Sequence, residues 1–189
     1  MSESISTTVS AEIETLAVEG LPLSRPPNSL KTNRSAPVRN DLLINPPLDQ
    51  QEQLSMTILH LLEVEPIDDG YSHPAEEIIE KALKKHKTLA PTWIQAIYLK
   101  NFNRPAVAAG ILRCIGRLKN DLVEPWGRSM AMRGLSHPAA EVREAAIRAL
   151  EMWGGQESTE ALKNHIDSEP VAWLKNYVNQ VINDLTKQN

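Results

Sequence analysis

Two of the five histidines, the one cysteine and a scatter of tryptophans and arginines are side chains of this 189-residue chain that could carry chemistry. His73 and His137 stand in matching settings, Ser72-His73-Pro74-Ala75 and Ser136-His137-Pro138-Ala139. Imidazole is a common metal ligand, but ligands must lie within about 2 Å of an ion. If the two settings are two helical repeats apart, layers of about 8–10 Å put the rings on the order of 20 Å from each other. Both are therefore read as helix-start residues, and no metal site is expected. Cys114 is the only cysteine, so neither a disulfide nor a Cys pair for zinc can form within the chain. Its neighbours Ile111, Leu112, Ile115 and Leu118 predict a small buried side chain rather than a reactive thiolate. There is no Gly-rich phosphate loop, no His-Glu-x-x-His pattern and no Ser-His-Asp order, and Gly154-Gly155 reads as a turn between helices. Nothing here calls for an enzyme, and no cofactor is expected.

Binding leaves other traces. From Glu63 to Glu80 there are seven acids and no Lys or Arg; from Lys81 to Lys119 there are nine bases and no acid. Arg113 and Arg117 are one helical turn apart, and Lys81, Lys84 and Lys85 share a face. This segregation predicts either an electrostatic docking band or acids and bases that neutralise each other. Trp93 and Trp126 each follow a proline closely and lie 33 positions apart. Trp is enriched at binding hot spots, and the competing reading packs both between helix layers. Trp153 and Trp173 end apolar stripes and are expected in the core. The candidate contact residues are Lys84, Trp93, Arg113, Arg117, Trp126, Arg128 and Arg133, with Trp93, Arg128 and Arg133 expected to be exposed.

These residues need elements to hold them. Aromatic content is only 4%, too sparse for a typical β-sandwich. Abundant Ala, Leu, Glu and Lys in the second half favour helix. Residues 1–48 differ: Ser and Thr dominate the first ten positions and prolines recur up to Pro46-Pro47. A disordered, Pro-rich tail is expected there, with a short helix capped by Ser10 and ended by Gly20 and a basic stretch containing Arg25, Lys31, Arg34 and Arg39. Residues 49–189 form the folded domain, opened by a capping box at Asp49 and Glu52.

That domain repeats. Pro74, Pro105, Pro138 and Pro170 are spaced by 31, 33 and 32 positions, and each opens a helical pattern where its missing N–H costs nothing. The pairs are predicted at 74–86 with 91–101, 105–119 with 123–135, and 138–153 with 156–166, followed by a helix at 170–186. Such pairs bury their apolar faces only by stacking, with caps at the ends. The helix at 49–64 would cap one end. The last helix would cap the other, turning Lys175, Asn176, Asn179, Gln180 and Asn183 outward. The fold class is all-α, an α-solenoid of three to four stacked helix pairs.

Val142-Arg143-Glu144-Ala145-Ala146-Ile147-Arg148-Ala149-Leu150 resembles the core of short HEAT-like repeats, the type found in phycobilin lyase subunits and bacterial scaffold proteins. The resemblance spans roughly residues 70–189. It implies that second helices line the face where partners bind. It also implies a scaffold, adaptor or inhibitor, with a nucleic-acid-binding DNA glycosylase-like protein and a bilin lyase-type accessory subunit as alternatives. Net charge of −4 and a pI near 5.8 weigh against nucleic acid, so a protein partner, acidic if the basic band binds it, is expected. No stretch approaches a membrane span, no basic and apolar leader precedes the tail, and a cytoplasmic location is expected.

Overall fold

The computed structural model describes residues 46–65, 67 and 71–188. The expected tail and its short helix at 10–20 lie outside them, except that Pro46 to Leu48 belong to the first helix. Among the described residues the chain is helical throughout: α1 (Pro46–Val64), α2 (Pro74–Lys85), α3 (Ala90–Lys100), α4 (Pro105–Gly116), the single turn α5 (Asn120–Val123), α6 (Trp126–Gly134), α7 (Ala140–Trp153), α8 (Gly155–His165) and α9 (Ala172–Gln188). A 3₁₀ turn at Ile166–Ser168 precedes α9.

The helices stack in two layers. First helices α2, α4, α7 and α9 pack in sequence, and α3 and α6 pack behind them, with α1 against α2, α3 and α4. α4 and α7 approach most closely. Small residues allow it: a Cβ added at Gly116 would lie 2.9 Å from both Cα and Cβ of Ala149. Ala108 and Ala109 on α4, and Ala145 and Ala146 on α7, are buried around the same seam. The core is aliphatic, with Ile79, Ile94, Ile111, Leu112, Ile115, Ile147, Leu150 and Leu174 inaccessible. Its largest fully buried residue is Tyr98, with no partner for its hydroxyl among the described residues; burial pushes the phenol up to about 12.

Both histidine motifs start helices, as their sequence setting predicts. His73 Nδ1 accepts from Ala75 N–H at 3.1 Å while the Glu76 carboxylate accepts from His73 N–H at 3.1 Å, a reciprocal cap of α2. His137 Nδ1 accepts from Ala139 N–H at 3.0 Å. With Nδ1 accepting, Nε2 carries the proton and reaches a carbonyl in the preceding element: Glu65 O at 3.2 Å from His73, Phe102 O at 2.8 Å from His137. His73 caps α2, His137 braces the turn that leads into α7, and each ring ties its turn to the chain before it.

Three boundaries differ from expectation. α1 begins at Pro46, so Asp49 and Glu52 lie inside it rather than capping it. Pro74 and Pro105 are the first residues of their helices, but Pro138 and Pro170 stand two residues before theirs. The second helix of the middle pair breaks at Pro125 into α5 and α6, where the Glu124–Pro125 bond is cis. Gly154 and Gly155 do make the α7–α8 turn, at φ +62° and +80°. Gly154's pairing of that φ with ψ −156° is open essentially to glycine alone.

Candidate partner-binding surface

α4 carries Arg113 and Arg117 out of the first-helix layer, and both meet acids from neighbouring repeats. Arg113 Nη2 donates to Glu144 Oε2 on α7 at 2.8 Å. Arg117 Nη1 donates to Glu76 Oε1 on α2 at 2.7 Å and to Tyr71 O. Glu144 also accepts from Arg148 Nε at 2.6 Å. Arg148 lies 5.9 Å over the Tyr177 ring of α9, and the Tyr177 hydroxyl donates to Glu151. These contacts form one ladder across α2, α4, α7 and α9. A cleft of about 230 Å³ opens between α4 and α7 beside Arg113, Arg117 and Arg148. Glu76 and Glu144 accept from its three arginines, and Glu151 accepts from Tyr177.

The acid block and the base block of the sequence therefore fold onto each other. Glu63 pairs with Arg104, Glu76 with Arg117, Glu77 with Lys81 and Glu80 with Lys84. Lys84 is exposed, and its i,i+4 partner neutralises it at a gain of a few tenths of a kcal/mol.

The second-helix residues divide. Trp93 and Trp126 are buried at 5% and 9% exposure. Trp93 packs its ring against His86 at 5.2 Å between centroids, and Trp126 Nε1 donates to Leu122 O at 3.1 Å. Arg128, expected to be exposed, is buried at 8%. Its guanidinium donates to Glu124, to Ser158 and to Gly154 O at 3.2 Å, with Glu157 3.4 Å away. The middle pair breaks at Pro125, and Arg128 is the clamp that ties the broken segment to α8. The exposure expected of Trp93 and Arg128 is thus corrected: the α3 and α6 backbones turn these positions inward. Arg133 is exposed, as expected, and sits 5.5 Å over the Phe102 ring, in cation–π range. Trp173 departs the other way: expected in the core, it is 57% exposed at the start of α9.

Sequence reasoning missed Leu99, Lys100 and Met132. All three are exposed on the second-helix layer. The signal was available: the 33-residue step from Trp93 to Trp126 also takes Leu99 to Met132 and Lys100 to Arg133. α3 and α6 thus present the same pair, a large apolar side chain followed by a cation, at equivalent places. Phe102 links them, edge-on to Tyr98 at 5.6 Å and to His137 at 4.5 Å.

Groups that could support catalysis are otherwise engaged. Burial pushes the Cys114 thiol up to about 12, and Glu76 adds to the effect, so the thiolate does not form near neutrality. Ser168 Oγ lies 3.5 Å from His165 Nδ1, and His165 Nε2 lies 3.0 Å from Glu169 Oε2. The Ser168 hydroxyl, however, donates to His165 O at 2.7 Å, and Glu169 is gripped by Arg143 through two bonds of 2.8 Å. Burial alone would raise the Glu169 carboxyl. Bonds from Arg143, Val171 N–H and His165 outweigh it and hold the group at about 2. Arg143 also donates to His137 O and Pro138 O. The arginine of the Val142-Arg143 motif is therefore a buried rivet between one repeat and the next. Among the described residues no three His, Cys, Asp or Glu side chains are grouped to hold a metal, and no helix is long and apolar enough to cross a membrane.

Residues 91–183 match the family model described as HEAT repeats. The match is to HEAT repeats at large and does not single out the phycobilin lyase type. No curated protein and no solved structure matches the chain.

Proposed function

For a HEAT-like repeat protein of this build, we propose a non-enzymatic role: a scaffold, adaptor or inhibitor that docks a protein partner on its second-helix layer. The observation that carries this reading is the repeated exposure of Leu99 and Met132 on helices that are otherwise well packed. Singly exposed apolar residues are ordinary. Two at equivalent positions on adjacent helices make a surface with a period, which is what a repeat protein offers a partner. The first-helix layer is the poorer candidate, because its arginines Arg113, Arg117 and Arg148 are paired with Glu144 and Glu76. The chain's negative net charge and the absence of any continuous run of unpaired cations among the described residues favour protein over nucleic acid.

The test is an affinity pull-down from native lysate with nuclease treatment, comparing wild type with Leu99→Ala/Met132→Ala. A protein partner retained by wild type and lost by the variant supports docking on this layer. Equal recovery by both, or recovery of nucleic acid that the nuclease abolishes, overturns it.

A further inference from the structure

We propose that the second-helix layer takes an acidic segment with two apolar anchors about 10 Å apart, seated on Leu99 and Met132 with its carboxylates on Lys100 and Arg133. The inference rests on the docking reading above and gives the partner its chemistry.

Between Lys81 and Lys119 the sequence has bases and no acids, but most of those bases acquire acidic partners on folding. Lys85, Lys87, Lys100 and Lys119 do not, and neither does Arg133 on α6: among the described residues none of these forms an ion pair, and of them only Lys100 and Arg133 follow an exposed large apolar residue. Glu52 of α1 lines the same groove as Lys100 without reaching it. Neither α3 nor α6 contains an acid, and the turn at 101–104 has none. The last-turn position of both cations complements the helix dipoles. The dipole does not account for the exposed apolar residue that precedes each of them, 47% exposed at Leu99 and 38% at Met132.

Charge and spacing then define the occupant. Adjacent packed helices lie about 8–10 Å apart, so a segment crossing α3 and α6 meets the two anchor points at about that separation. Apolar side chains seven apart on a helix, or three apart in a polyproline II segment, where three residues complete a turn, fit it. A carboxylate next to each anchor meets a cation that has no acidic partner among the described residues. Phe102 with Arg133 above it fills the surface between the two positions. A basic or purely apolar segment would leave both cations desolvated and unpaired, which is costly.

The experiment is selection of a random 12-residue peptide display library on the full-length wild-type chain. Enriched peptides are then titrated against wild type, Lys100→Glu, Arg133→Glu and Leu99→Ala/Met132→Ala. All these substitutions are at exposed positions, and circular dichroism melts confirm that each variant folds. The expected result is enrichment of acidic peptides with paired apolar residues. They should bind at least tenfold more weakly to either charge reversal or to the double alanine variant, and more weakly as salt rises. Enriched peptides that are neutral or basic but still lost on Leu99→Ala/Met132→Ala overturn the acidic chemistry and leave the docking surface standing. Peptides that bind all variants alike, or no enrichment at all, overturn both.

Discussion

The first-helix and second-helix layers carry similar residues and put them to opposite uses. On α2, α4, α7 and α9, arginines and glutamates pair across repeats, from Glu76–Arg117 through Arg113–Glu144–Arg148 to Tyr177–Glu151. On α3 and α6, Lys100 and Arg133 form no ion pair among the described residues. An arginine in the first layer acts as cohesion; a cation in the second is an open valence. The distinction lies in what the neighbouring helix brings within reach. Acids sit on α2 and α7 and are missing from α3 and α6. In a stack where each repeat contacts its neighbours, this is how one chain can hold itself together on one face and keep the other available.

The comparison breaks most visibly at the repeat junction. Glu169→Ala leaves the Arg143 guanidinium buried without its carboxylate, and a loss of about 3–5 kcal/mol is expected, read as a lowered urea midpoint. Acid should imitate this. Glu169 is held at about 2 in the fold against 4.5 unperturbed, so its contribution is complete above roughly pH 4.5 and lost as pH falls through 2. A melting series from pH 6 to 2 should show a decline in wild type that is reduced in Glu169→Gln. If the two curves run parallel, the rivet is not stabilising.

Gly116→Ala tests the α4–α7 seam. The new methyl meets Ala149 backbone and side chain at 2.9 Å, and overpacking there should cost about 1–3 kcal/mol. A neutral result would mean that the seam opens freely. Arg113→Ala removes one rung of the first-layer ladder and should cost up to about 1 kcal/mol without altering partner or peptide binding. Loss of binding with unchanged stability would reverse the roles of the two layers. Lys100→Glu/Arg133→Glu should move stability by no more than about 0.5 kcal/mol while removing binding. A large destabilisation would show that these cations, too, are cohesive.

Much of the fold was legible in the sequence because its signals are local. Proline at a helix start, an apolar period near 3.6 and a histidine that can cap its own helix need only a few consecutive residues. They located the helix pairs, the Gly154-Gly155 turn and the place of His73 and His137 at the approach to a helix. They failed where a distant segment decides: Asp49 could not be seen to lie inside α1, nor Pro125 to split the middle pair. The surface was less legible still. Arg128 looks exposed as a charged residue in a short helix, yet Gly154, Ser158 and Glu157 from another element surround it. The stretch from Lys81 to Lys119 reads as a basic band only while the acids that meet it remain out of sight.

The sequence alone determined the repeat period, the helix-pair architecture and the helix starts at Pro74 and Pro105, because backbone propensity and periodic burial are written in neighbouring positions. Only the tertiary structure decided which charges are cancelled and which remain, because electrostatic pairing acts over a few ångströms in space and is indifferent to separation along the chain. Leu99, Lys100, Met132 and Arg133 became a surface at that level, once α3 and α6 were laid side by side without an acid between them.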